Sequence, residues 1–242
     1  MLRIELARVP LEIRCRYPAN ERFFADYLTD KPPLFTVEPT DDDLDRMLQE
    51  LRRTDEAEGV RRLGYGRPYL ENNAIHALVT EKMLEQRVLL MHGSALCMDG
   101  QGYLFTAPSG TGKSTHTRFW RETFGERVWM INDDKPLLRL EQDGSVWAYG
   151  TPWNGKHHLS RNAGAPLRAI IRLSRSEHNT IEPLSRADAF AVLMSQCFSS
   201  RDPLVMRRVL ALENELLQAV KFYSLGCNLD PDAARVAWEG LK

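Results

Sequence analysis

The stretch Leu104-Phe105-Thr106-Ala107-Pro108-Ser109-Gly110-Thr111-Gly112-Lys113-Ser114-Thr115 decides how this chain is read. Gly102–Ala107 is an apolar run that reads as a strand, and Lys113–Phe124 reads as a helix closed by Gly125. A strand, a glycine-bearing turn and a Lys-Ser pair opening a helix form the context of a phosphate-binding loop. Ala107 stands where the GxxxxGK[ST] pattern has its first glycine; the rest fits. Gly110 and Gly112 permit backbone angles that side chains disfavour. Successive N–H groups then form a concave nest, and the helix start adds unpaired N–H groups and the positive end of its dipole. Lys113 brings a full charge to the β/γ phosphates, and the Ser114 hydroxyl suits Mg²⁺. Ser109, Gly110, Thr111, Gly112, Lys113, Ser114 and Thr115 are therefore expected to hold ATP, or another nucleoside triphosphate, with Mg²⁺.

Such a loop needs a carboxylate on a neighbouring strand. Arg127–Ile131 is an apolar strand running into Asn132-Asp133-Asp134, twenty residues beyond Lys113, which leaves room for one helix and a return strand. One acid can hold Mg²⁺ and the other can take a proton from an attacking hydroxyl. His92, in Leu89-Leu90-Met91-His92-Gly93-Ser94, is expected on the strand before the loop's own strand, and Gly93 hints at close backbone approach. A polar-aromatic loop, Tyr149 to His158, offers Trp153, Asn154, Lys156 and His157 as candidates to orient substrate or phosphate. The adjacent His157 and His158 diverge in most backbones, which argues against a metal pair. Arg118, Arg121, Arg161 and Arg168 are further cations within reach of this region by sequence.

Outward from the loop, Asp99-Gly100 and Asp143-Gly144 are hairpin turns, the first joining Val88–Met98 to Gly102–Ala107, the second Pro136–Leu140 to Ser145–Tyr149. Leu167–Leu173 and Phe222–Cys227 read as strands. Ala187–Phe198 and Val205–Val220 read as amphipathic helices, and Asp230-Pro231 starts a last helix. Ahead of residue 88 the character differs. Leu2–Cys15 reads as one or two strands broken near Pro10, Phe23–Leu28 as a helical turn, and Leu34–Val37 as a strand. Thr40 caps a helix whose first turn is Asp41-Asp42-Asp43, a helix start rather than a metal site. Arg52–Arg67 reads as a loop, and Asn72 or Asn73 as the cap of a helix to about Arg87. The expected plan is an α/β fold, α+β overall, with a small α+β segment at 1–87 and a nucleotide-binding core at 88–242.

Composition bounds the function. The chain has 242 residues, 43% hydrophobic and 27% charged, which excludes a disordered chain or a membrane bundle. Lys and Arg number 32 against 33 Asp and Glu, a net charge of −1, so no basic field or arginine-aromatic strip draws nucleic acid. No apolar run nears the roughly 18 residues of a membrane span. Cys15, Cys97, Cys197 and Cys227 lie far apart and read as free thiols of a cytoplasmic protein.

Together, His92-Gly93, the loop Ser109–Thr115 and the pair Asp133-Asp134, in that order and spacing, resemble the HPr kinase/phosphorylase and phosphoenolpyruvate carboxykinase superfamily. The resemblance covers Leu90 to about Lys156. With Ser114–Trp120, Asn132–Pro136 and Gly150–Lys156 it extends to small HPr-kinase-like proteins, relatives of which occur with peptide-modification systems. It implies a P-loop kinase core and ATP-dependent transfer to a hydroxyl, most plausibly serine, of a peptide, protein or small molecule. His92 would position or protonate phosphate oxygens and Lys113 stabilise the transferred group. Ser114 would bind Mg²⁺, with Asp133 the general base and Asp134 a metal ligand, an order that can be exchanged. The resembling kinases assemble into oligomers, so the resemblance allows a homo-oligomer, while the residues themselves are silent on oligomeric state. Two departures stand out: Thr115 replaces an acid that the kinases carry after Lys-Ser, and Thr151-Pro152-Trp153-Asn154 lacks the acid of their later catalytic segment. The competing reading is therefore a nucleotide-binding regulatory or scaffolding module with little or no catalysis.

Overall fold

The computed structural model describes Met1–Gly59 and Gly64–Lys242. The chain divides into two compact units, Met1–Gln86 and Arg87–Lys242.

In the first unit, β1 (Leu2–Leu6) and β2 (Val9–Ile13) form a hairpin whose turn residues, Ala7 and Arg8, both take positive φ. Pro10 does not break the strand. It is the second residue of β2, opposite Glu5 and just before β3 (Phe35–Val37) joins in parallel at Leu11, so its missing N–H removes no bond to β3. The short helix α1 (Pro18–Phe23) precedes β3 in the chain. In α2 (Asp41–Glu58), Thr40 is the N-cap, as the sequence predicts, and the Asp43 side chain caps back onto Thr40 N. The helix runs to Gly59 in the left-handed conformation, so the expected loop at 52–67 is helical over its first seven residues; residues 60–63 of that stretch lie outside the described ones. α3 (Arg67–Met83) is capped at Gly66, six residues before the expected cap at Asn72, because Pro68 fits the first helical turn. Glu71 is buried and accepts from Arg16 N, Tyr17 N and Asn20 Nδ2, tying α3 to the chain after β2.

The second unit is built on one nine-stranded sheet among the described residues. In chain order its elements are β4 (Val88–Leu90), β5 (Ser94–Met98), β6 (Gln101–Thr106), α4 (Lys113–Phe124), β7 (Val128–Asn132), β8 (Leu137–Leu140), β9 (Val146–Tyr149), β10 (Gly164–Arg175), β11 (Thr180–Pro183), α5 (Arg186–Gln196), α6 (Pro203–Ala219), β12 (Lys221–Cys227) and α7 (Asp232–Leu241). The expected α/β class is what the chain adopts. Spatial order is β4-β8-β9-β10-β6-β5-β7, with β12 and then β11 added beside β10. The strand β10 reaches beyond the expected Leu167–Leu173. Its start pairs antiparallel with β9, a bulge follows at Leu167/Ala169, and the remainder runs parallel to both β6 and β12. The strand β11 was not foreseen: it is four residues long, exposed but for Ile181, and shows no apolar alternation.

One face of this sheet carries the aromatic core. Tyr103 and Phe105 of β6 meet Trp120 of α4, and Trp238 of α7 packs edge-on against both Tyr103 and Trp120. Trp120 is fully buried, and burial of a ring that size contributes several kcal/mol, of order 3–5 on truncation to Ala. That anchor fixes where α4 begins, and hence where the glycine loop must turn.

Candidate functional site

The loop between β6 and α4 is held by its own lysine. Lys113 Nζ donates to Ala107 O at 2.8 Å and Pro108 O at 3.4 Å, closing the turn across its mouth. Gly110 and Gly112 have φ of 75° and 118°, and a Cβ on either would meet nothing within 4 Å. Backbone conformation, not crowding, is therefore what glycine supplies at both. α4 starts at Gly112 with no side-chain cap, so its first turn presents unpaired N–H groups to whatever lies in the loop. Lys113 is buried, which pulls its pKa down, while Asp134 and Asp133 pull it back up. A cation thus stands within electrostatic reach of both acids.

The acids are presented differently. Asp133 is only 6% exposed; its Oδ1 accepts from Ser94 Oγ at 2.6 Å, and that hydroxyl also meets Thr117 Oγ1 on α4. Asp134 is more open: 28% of its side chain is exposed, and its Oδ1 lies 3.1 Å from His92 Nδ1. Burial pushes the Asp134 carboxyl up, but the His92 hydrogen bond and the charges of Lys135, His92 and Lys113 outweigh it and hold it below the usual range. The turn carrying both acids is shaped by Asn132, which sequence reading passed over. Asn132 Oδ1 accepts from Asp134 N and Lys135 N, and its Nδ2 donates to Thr151 O and Oγ1. The only signal for it was its place before two acids, a common Asx turn.

His92 does not lie on a strand. β4 leaves to pair with β8, β5 pairs with β6 and β7, and Met91–Gly93 bridges the two. A Cβ at Gly93 would fall 2.8 Å from Leu104 Cδ2 and 2.9 Å from Phe105 O, so the break needs glycine. The bridge is tied on both sides: His92 N donates to Gln196 O at 2.7 Å, and Gly93 N to Asp134 O at 2.9 Å. Its imidazole Nε2 has no partner among the described residues.

The polar-aromatic loop meets the site at Thr151, which accepts from Asn132 Nδ2 and donates to Lys135 O, and at Gly155. A Cβ on Gly155 would lie 3.2 Å from Asp134 Cβ. Asn154 donates to Ser160 Oγ, Trp153 is buried, and Lys156 and His157 are exposed. Of the arginines expected nearby, Arg118 lies beside Glu122 and Phe119, Arg161 covers Trp129, and Arg168 bonds Leu241 O and Lys242 O. None of those contacts touches the loop. Arg175 does instead, donating to Gly110 O at 2.9 Å from the end of β10. It is missed from sequence because the parallel β6–β10 pairing that brings it there is long-range.

No group of three or more His, Cys, Asp and Glu side chains among the described residues is placed to cage a metal. The donor set here, one hydroxyl at Ser114 and two carboxylates, fits Mg²⁺ held mainly by water and phosphate oxygens rather than a structural metal. No helix among the described residues is long and apolar enough to cross a membrane.

The fold and this arrangement define an α/β protein with a glycine-bearing turn between β6 and α4 and a pair of acids following β7. The chain belongs to the family described as SynChlorMet cassette protein ScmC, whose sequence model matches residues 69–229. No curated protein matches it. Among solved structures it is similar to the HPr(Ser) kinase/phosphatase from Coxiella burnetii, at 11% identity and a TM-score of 0.38, over 62% of this chain and 95% of that one. That likeness is distant, and the family membership is what the comparisons establish.

Proposed function

We propose that the second unit binds a nucleoside triphosphate with Mg²⁺ and transfers its γ-phosphoryl group to a hydroxyl. One observation carries the reading: a buried lysine opens the uncapped α4, the helix whose Thr117 shares the Ser94 hydroxyl with Asp133 at the end of β7. A structural turn has no need of that cation, and a simple anion site has no need of that acid.

Each residue has a separable task. The N–H groups of Gly110 to Ser114 and the α4 dipole would receive phosphate oxygens. Lys113 would exchange its bonds to Ala107 O and Pro108 O for the transferring group. Arg175, bonded to the same loop from the end of β10, would add charge from outside it. Mg²⁺, when bound, would offset the negative charge spread over the phosphates, with Ser114 and one acid as its protein ligands.

The resemblance makes Asp133 the base and Asp134 the metal ligand; the deeper burial of Asp133 favours the exchanged order. Asp133, clamped by Ser94, is the fixed charge suited to hold metal, directly or through water. Asp134, open and oriented by His92, is the acid suited to meet an acceptor. In the transfer the acceptor oxygen forms its bond to the γ-phosphorus, the bond to the departing diphosphate breaks, and the hydroxyl proton passes to Asp134. A phosphomonoester and a nucleoside diphosphate result.

Labelled ATP with Mg²⁺, offered with serine-bearing peptides and free serine, tests the reading. Labelled product lost in Lys113→Ala supports it. Tight retention of nucleotide with no product from any acceptor would favour a regulatory module.

A further inference from the structure

Along β6 and β10 side chains alternate between faces. Phe105 and Ile171 belong to the aromatic core with α4, so Thr106 and Arg172, register partners, belong to the other face. There a pocket of about 270 Å³ opens, floored by Thr106 and Arg172, rimmed by Pro108, and walled by Val192, Ser195 and Gln196 of α5. Arg172 is half-buried in it, and among the described residues no carboxylate pairs with it; its one hydrogen bond is a 3.4 Å contact to Ser224 Oγ. A guanidinium carries five donors in a planar fork, so most of its capacity is unspent in a partly desolvated place. The other walls are those that hold the candidate acid-histidine pair. Thr106 Oγ1 donates to His92 O at 2.8 Å and lies 3.2 Å from Gln196 Oε1, while Gln196 O accepts from His92 N.

We propose that this pocket is the acceptor site and that Arg172 receives a carboxylate borne by a small hydroxyl compound, an inference that rests on the phosphotransferase reading above. Three features select that chemistry. The volume is below the roughly 300–1,000 Å³ of pockets for drug-sized ligands, so the occupant is about one residue in size. A single planar cation matches a singly charged planar carboxylate in a bidentate pair. A phosphate dianion would leave charge unmatched, since the rim residue Pro108 has no N–H to offer. The acceptor is thus a hydroxy acid or hydroxy amino acid, free or at the C-terminus of a peptide.

The test reads binding by calorimetry without nucleotide. The probes are D-glycerate, L-serine, the tripeptide Gly-Gly-Ser, L-serinamide, glycerol and inorganic phosphate. The variants are Arg172→Met and Ala191→Phe, the latter filling the pocket from an exposed position on α5. Expected is binding of at least one carboxylate probe, with serinamide and glycerol weaker by about tenfold or more, and a loss of similar size in both variants. L-Serine against Gly-Gly-Ser separates the free acid from the peptide terminus, and either one binding supports the pocket. No carboxylate binding, carboxylate binding undiminished in Ala191→Phe, or phosphate binding that depends on Arg172 and is tighter than that of every carboxylate would overturn it. ATP–Mg²⁺ titration of the same proteins keeps the two claims apart. If ATP fails to bind while glycerate binds at Arg172, the transferase reading falls and the pocket stands; if ATP binds and no carboxylate does, only the pocket falls.

Discussion

Glu213 offers a prediction whose size follows from its surroundings. It lies on the inner face of α6, 1% exposed, and among the described residues no cation is beside it. Its Oε2 has no hydrogen-bond partner among the described residues, and its one neighbour of note is the Cys197 thiol. Burial pushes its carboxyl from 4.5 up to about 7, with the Cys197 hydrogen bond pulling slightly the other way. The sign follows directly. The folded state holds the proton more tightly than the unfolded one, so stability is greatest below 4.5, falls as pH rises from 4.5 to about 7, and stays low above. At 1.36 kcal/mol per tenfold, the ionised side chain costs about 3 kcal/mol at pH 8 and about 1 kcal/mol at pH 5. Glu213→Gln removes that cost but places an amide N–H₂ where Oε2 lacked a partner, at about 1 kcal/mol. The variant should therefore match wild type at pH 5 and exceed it by about 2 kcal/mol at pH 8, a rise in melting temperature of roughly 4–8 °C for a chain this long. The buried His116, depressed to about 3, loses stability in the opposite direction as pH falls, but equally in both proteins, so the difference isolates Glu213. Thermal melts at the two pH values decide it. A Gln variant that is destabilised equally at both would refute the claim that Glu213 is buried without a counter-charge.

Other expectations are more local. Asp134→Asn should cut phosphoryl transfer about 10²–10⁴-fold with nucleotide affinity nearly unchanged, whereas Asp133→Asn should weaken Mg²⁺-dependent nucleotide binding itself; titration and turnover assays on both variants separate the roles. Gly150→Ala should destabilise the second unit by about 1–3 kcal/mol or prevent folding, since its Cβ would fall 2.0 Å from Arg161 O and 2.5 Å from Ile131 O; urea unfolding measures it. Thr40→Ala should cost the α2 cap about 1 kcal/mol, and amide exchange of the first α2 turn should rise.

The parts legible in the sequence are those written locally. The Asp99-Gly100 hairpin has both residues at positive φ, as its dipeptide demands. Lys113–Phe124 begins and ends where Gly112 and Gly125 put it. The placement of His92 was misread because Val88–Met98 is apolar throughout. Only pairing with two different partners, β8 and then β6, splits it, and pairing partners are not a local property. Asn132, Arg172 and Arg175 went unseen for the same reason. Their contacts in the site, apart from the Asn132 bonds to Asp134 N and Lys135 N, come from strands and loops 19 to 66 residues away in the chain. Arg118, Arg161 and Arg168 are close by numbering, yet α4, the loop before β10 and the start of β10 turn them elsewhere.

Calorimetric titration of the intact chain with ATP, with and without Mg²⁺, tests the central claim most directly. The account predicts Mg²⁺-dependent binding in wild type that Lys113→Ala abolishes while its melting profile stays intact. Well-folded protein that binds no nucleoside triphosphate, or a Lys113→Ala variant that binds it as tightly as wild type, would contradict the account.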